Sequence, residues 1–160
     1  MGLALVPEGR QIFPNLTVEE NLRVAWDFRK PAGSFKAALD AAYERFPALA
    51  ERRHMAAGLM SGGHQQMVVL SAALIHSPRY LLLDEPSLGL APVIVQKIFS
   101  VIAEVCRGQG VTILLSEQVA ALALSVSKDG CVMRRGSLVR TGTADELAAD
   151  PELSAAYLGS

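Results

Sequence analysis

Tyr80-Leu81-Leu82-Leu83 is an unbroken apolar run that leads into two adjacent carboxylates, Asp84 and Glu85, and stops at Pro86. A run this short, with no polar residue inside it and a proline just past its end, suits a buried β-strand better than a helix. Beyond it the period changes. Pro92 suits the first turn of a helix, with Val95, Ile98, Phe99, Ile102 and Val105 as its apolar stripe and Gly108 as its stop. Residues 111–115, Val-Thr-Ile-Leu-Leu, read as a second strand covered on both faces. A short helix follows over residues 118–126. Strand, helix, strand and helix imply a parallel α/β layer with right-handed crossovers. Ligands of such layers sit beyond the carboxyl ends of the strands. Asp84 and Glu85 fall there, and so do Glu117 and Gln118.

The first half is helical in pattern. Thr17-Val18-Glu19-Glu20 fits a capping box, and Val18, Leu22, Ala25 and Trp26 then recur at helical spacing. A polar joint over 30–34 leads to a second helix with Leu39, Tyr43 and Phe46 on one face, ended by Pro47; residues 51–60 read as a loop. Past the α/β layer, residues 130–134 and 137–141 read as a hairpin turning at Arg135-Gly136, and two short helices close the chain.

At 160 residues, 51% apolar and 19% charged, the chain suits one packed domain or a large piece of one. A net charge of -1 offers no basic excess for nucleic acid or for an anionic lipid surface. The longest apolar helical runs, 67–75 and 119–126, are less than half of the roughly 20 residues a spanning helix needs, so no direct membrane insertion is expected. Cys106 and Cys131 lack metal-ligand spacing and read as buried small hydrophobes.

Two adjacent carboxylates at a strand end can divide labour. One can hold Mg²⁺, directly or through water; the next can orient and deprotonate the water that attacks a γ-phosphate. A strand that merely ends in a solvated acidic turn carries the same residues. The second feature is Ser61-Gly62-Gly63 ahead of an apolar helix running through Ile75. A capping hydroxyl and bare backbone N–H groups at the positive end of a helix suit an approaching phosphate. An ordinary glycine-rich helix start looks the same. The order of the two features is the more specific signal.

MSGGHQQ followed by YLLLDEPSLGLAP resembles the signature, Walker B segment and D-loop of ABC-transporter ATPase domains. VPEGRQIFPNLTVEENL is similar to their Q-loop and following helix, and LLSEQ to their switch segment. Within that family, the likeness points to the ATPase subunits of branched-chain amino acid importers. The implied fold is α/β: a P-loop NTPase-like parallel sheet, incomplete here, with a helical subdomain over 16–76 and a Walker B and switch part over 77–160 that ends in a hairpin and helices.

The resemblance also implies roles. Asp84 would hold Mg²⁺ and Glu85 would be the catalytic base. Ser61, Gly62 and Gly63 would contact the γ-phosphate of ATP on the opposite subunit of a head-to-tail dimer, with residues 87–90 across that interface. Glu8 stands at the Q-loop position and Gln118 at the switch position, where a glutamine can donate to the γ-phosphate but carries no charge. Met60, His64, Ala72 and Ser116 depart from the family pattern without removing this chemistry. The implied partners are a homologous ATPase subunit and a membrane permease met through residues 16–43. The implied location is cytoplasmic, peripheral on the inner face of the membrane.

None of the four lysines, Lys30, Lys36, Lys97 and Lys128, follows a glycine, so the family's phosphate loop GxxxxGK[ST] is not among these residues. Two expectations stand side by side: a transport ATPase present without its phosphate loop, with the 160 residues alone inactive, or a non-catalytic ABC-like interaction module or relic.

Overall fold

The computed structural model describes residues 2–29 and 33–153, so the polar joint at 30–34 lies partly outside the described residues, as does the end of the chain from 154. Strand β1 (Leu3–Val6) runs parallel to β2 (Tyr80–Asp84), with Leu3 opposite Tyr80 and Val6 opposite Leu83. Strand β3 (Thr112–Ser116) borders β2 on the other side. The Thr112 N–H donates to the Arg79 carbonyl just ahead of β2, at 2.9 Å, so β3 starts where β2 starts and the sheet is parallel. The sheet places the ends of β1 and β2 at one edge, where the carboxylates stand.

Two compact units divide the chain, Met1–Leu114 and Leu115–Ser160. In the first, α1 (Val18–Arg29) opens on the expected capping box: the Glu20 carboxylate accepts from the Thr17 N–H at 2.8 Å, and Thr17 Oγ1 accepts from the Glu20 N–H at 3.2 Å. Ser34 caps α2 (Phe35–Arg45). Helix α4 (Gly62–Leu74) packs between α1 and β1 and is buried nearly all round, which explains why it is apolar on every face. Helix α5 (Pro92–Gln109) buries the whole stripe read from the sequence, Val95, Ile98, Phe99, Ile102 and Val105. Each such side chain contributes about 1.5–3 kcal/mol relative to an exposed one.

The second unit holds α6 (Ala120–Val126), β4 (Asp129–Arg134), β5 (Ser137–Thr143), α7 (Ala144–Ala149) and α8 (Pro151–Leu153). Strands β4 and β5 pair antiparallel across Arg135 and Gly136, at φ +49° and +78°. Two successive left-handed residues make the two-residue hairpin turn expected at that dipeptide. Leu147 of α7 is buried over the hairpin.

Five expectations are corrected. Pro47 starts a helix, α3 (Pro47–Glu51), besides ending α2, because its fixed φ suits a first turn. Residues 51–60 include a turn of 3-10 helix, Ala57–Leu59. Gly108 lies inside α5; the left-handed cap is Gly110, at φ +64°. Strand β3 is not covered on both faces, since Leu114 is 69% exposed, and Cys106 and Cys131 are exposed rather than buried.

Candidate functional site

The β1–β2 register sets the site. Val6 lies opposite Leu83, so the turn carrying Glu8 and the pair Asp84–Glu85 leave the same end of adjacent strands. Asp84 is exposed and Glu85 half-buried. Glu85 adopts φ +45°, a left-handed conformation that costs a non-glycine residue roughly 1–2 kcal/mol. Such a cost is met most often at functional turns. Here the turn swings the chain off the strand, with the Leu88 N–H donating to the Glu85 carbonyl at 3.1 Å and Pro86 buried beneath.

Ser61 is the N-cap of α4, and its hydroxyl accepts from the His64 N–H at the long distance of 3.5 Å. The same oxygen lies 2.7 Å from His64 Nδ1. Burial, and then the charge of Arg52, hold the His64 imidazole below its ordinary pKa, against the opposing pull of Glu51. The neutral ring is thereby favoured beside the serine.

The two glycines of the turn each have a packing reason. A Cβ on Gly63 would meet the Ile94 side chain at 2.8 Å, so α5 crosses this turn only because Gly63 lacks one. A Cβ on Gly62 would fall into the guanidinium of Arg10. Sequence reasoning offered these glycines as bare backbone for an anion; Gly63 also lets Ile94 of α5 approach closely, and Gly62 leaves room for the end of the Arg10 side chain.

Arg10 was missed, because nothing in its spacing marks it. Its Nη2 donates to the Leu88 carbonyl at 3.3 Å, so it touches both the start of α4 and the turn after Glu85. Two buried-side amides were missed as well. Asn21 on α1 bonds the backbone of residues 13–17, and Gln65 Nε2 donates to the carbonyls of Ala57 and Met60 ahead of Ser61. Gln118 belongs to the second unit, two residues past β3. A cavity of about 350 Å³ opens beside α1, lined by Leu5, Phe13, Val24, Phe28, Ala72 and His76 among others.

The carboxylates supply hard oxygen donors. Among the described residues, no group of three His, Cys, Asp or Glu side chains is close enough to hold a metal by itself. Mg²⁺ is usually bound through one or two carboxylates with phosphate oxygens and water completing the shell. The donor set therefore fits Mg²⁺ arriving with a nucleotide rather than a resident ion.

A family model described as ABC transporter matches residues 1–88, which includes β1, the Ser61 turn and the whole of β2 with its carboxylates. The chain belongs to the ABC transporter family. Among curated relatives of this ABC chain, the high-affinity branched-chain amino acid transport ATP-binding protein BraG of Pseudomonas aeruginosa is 45% identical over 157 residues, which cover 98% of this chain and 66% of that protein. The probable branched-chain amino acid transport ATP-binding protein LivF of Archaeoglobus fulgidus is 37% identical over 147 residues, covering 92% of this chain and 62% of that one. The chain thus spans a little under two thirds of the length of these relatives.

Solved structures share the fold. One is CbiO1 from Clostridium perfringens, part of the ABC transporter complex CbiONQ, with a TM-score of 0.79 at 21% identity over 97% of this chain and 62% of that one. Another is an inward-facing putative metal-chelate type ABC transporter, with a TM-score of 0.81 at 14% identity over 96% and 62%. The α/β architecture read from the sequence is that of ABC ATPase domains.

Proposed function

We propose that the chain is the ATP-hydrolysing subunit of an ABC importer for branched-chain amino acids. The observation that carries this reading is the exposed Asp84 and the strained Glu85 at the carboxyl end of β2, beside the Glu8 turn. The names of the two relatives supply the cargo. In this proposal Asp84 holds Mg²⁺, which neutralises phosphate charge when bound. Glu85 orients the attacking water and takes its proton as the bond between the γ-phosphorus and the ADP oxygen breaks. Glu8 bonds to the metal or to water. Gln118 donates to the γ-phosphate. Ser61, with the N–H groups of Gly62 and Gly63, receives the γ-phosphate of ATP held by a homologous subunit packed head to tail.

The 160 residues contain no GxxxxGK[ST] sequence, so by themselves they are expected to hold MgATP weakly and to turn it over negligibly. Among the described residues no helix is long and apolar enough to cross a membrane. A membrane permease is proposed to dock on residues 16–43, which follow the segment that resembles the family's Q-loop, at the inner face of the membrane in the cytoplasm. Val24 and Phe28 on α1 are 40% and 83% exposed there, beside the cavity. The proposal is tested by leucine uptake into proteoliposomes that hold permease, substrate-binding protein and an ATPase pair including this chain. ATP-dependent uptake that is lost when the chain is omitted is expected. Uptake indifferent to the chain would leave an ABC-like module without a transport role.

A further inference from the structure

Arg10 joins three segments that are far apart in sequence. It follows Gly9 in a loop where both residues are left-handed, at φ +89° and +48°, so the chain after β1 folds back. The guanidinium then lies against Gly62 in the first turn of α4, where only a missing side chain leaves room. Its Nη2 donates to the Leu88 carbonyl at 3.3 Å, and a Cβ on Gly89 would lie 3.6 Å from the same nitrogen. A cation is disfavoured at the positive end of a helix. Its placement there is held by the strained loop and by the carbonyl it bonds.

We propose that Arg10 is a positioning residue: a latch that ties the Glu8-bearing loop to the start of α4 and to the turn over 87–90, so that the three segments shift together. A planar, forked group suits this because it lies close against Gly62 while one of its nitrogens donates to the Leu88 carbonyl. Lysine, with a point charge on a flexible stem, lacks that shape. The latch itself is independent of the nucleotide reading, and its test uses no nucleotide. Failure of one therefore leaves the other standing.

The test is residue-resolved amide hydrogen exchange on the full chain. The Leu88 and Leu90 N–H groups, bonded to the Glu85 and Ser87 carbonyls, report the turn. Arg10→Ala is expected to speed their exchange about tenfold, the worth of one charge-assisted hydrogen bond. Leu70 and Ala73 inside α4 should change less than about twofold. Gly62→Ala places a methyl where the guanidinium sits. It should speed the same two amides in the parent chain but add almost nothing in the Arg10→Ala background, a coupling that a double-mutant cycle isolates. Unchanged exchange at Leu88 and Leu90 in Arg10→Ala overturns the latch. So does an equal rise at Leu70 and Ala73, which would make Arg10 a general stabiliser. Equal Gly62→Ala effects in both backgrounds overturn it as well.

Discussion

Replacing Asn21 by alanine tests how the segment leading from the Glu8 loop is anchored on α1. Asn21 is 5% exposed; its Oδ1 accepts from the Phe13 N–H at 2.8 Å, and its Nδ2 reaches the carbonyls of Phe13, Leu16 and Thr17 at 3.0, 3.2 and 2.9 Å. Removing the amide does not orphan all of these groups. The Phe13 carbonyl still accepts from the Leu16 N–H, the Leu16 carbonyl from the Ala57 N–H, and the Thr17 carbonyl from the backbone N–H of residue 21. Among the described residues, only the Phe13 N–H loses its sole protein partner. One stranded donor costs about 1–3 kcal/mol, so the loss should be about 2 kcal/mol. Trp26, the single tryptophan, sits on the same helix with its ring 6.1 Å from that of Phe35, and its fluorescence can follow urea unfolding of this region. For a slope of about 1–3 kcal/mol/M, the midpoint should fall by on the order of 1 M with the slope unchanged. Asn21→Asp should cost more at neutral pH, since it sets a carboxylate against three carbonyls. A loss below about 0.5 kcal/mol for Asn21→Ala would show that water already serves Phe13, and the anchoring argument would fail.

Two further outcomes follow from the Ser61 turn. Gly63→Ala should destabilise by about 1–3 kcal/mol through overpacking, and Ile94→Ala should relieve much of that penalty; equal costs in both backgrounds would deny the contact. His64 is held below its usual pKa in the folded chain, so its neutral form favours folding. That stability is fully present above the unfolded value of 6.5 and is lost as pH falls through the lower folded value. Urea midpoints measured between about pH 5 and 8 should therefore decline toward acid more steeply in the parent than in His64→Gln; parallel curves would remove His64 from the account.

Legibility in the sequence tracked how local the physics was. Thr17 with Glu20, Ser61 ahead of two glycines, and Arg135-Gly136 between short strands are decided within four residues of chain, and each formed as read. The strand Tyr80–Asp84 with its terminal carboxylates was legible for the same reason. Ambiguity began where one residue type serves two ends. Proline both stops a helix and starts one, so Pro47 hid α3; two nearby glycines offered two stops, and only Gly110 took the left-handed conformation.

Long-range packing was the least legible. The apolar run in β3 was read as a strand covered on both faces, yet Leu114 is 69% exposed, so among the described residues nothing covers the face it presents. Lone cysteines are usually buried, but both here are exposed, and their burial depends on contacts that their spacing does not encode. Arg10 meets Gly62 and Leu88 across more than fifty residues, and Asn21 looked like any polar residue in a first turn. Within the site, the type and order of the candidate residues were readable. Their mutual placement needed the fold.

The most direct measurement is ATP turnover by the transporter assembled with an ATPase subunit that carries these residues together with a phosphate loop, as Glu85→Gln and as parent, with nucleotide binding measured on the same samples. General-base removal predicts turnover lower by about 10²- to 10⁴-fold with binding retained. Near-parental turnover by Glu85→Gln would contradict the assignment of the proton-accepting group to the end of β2.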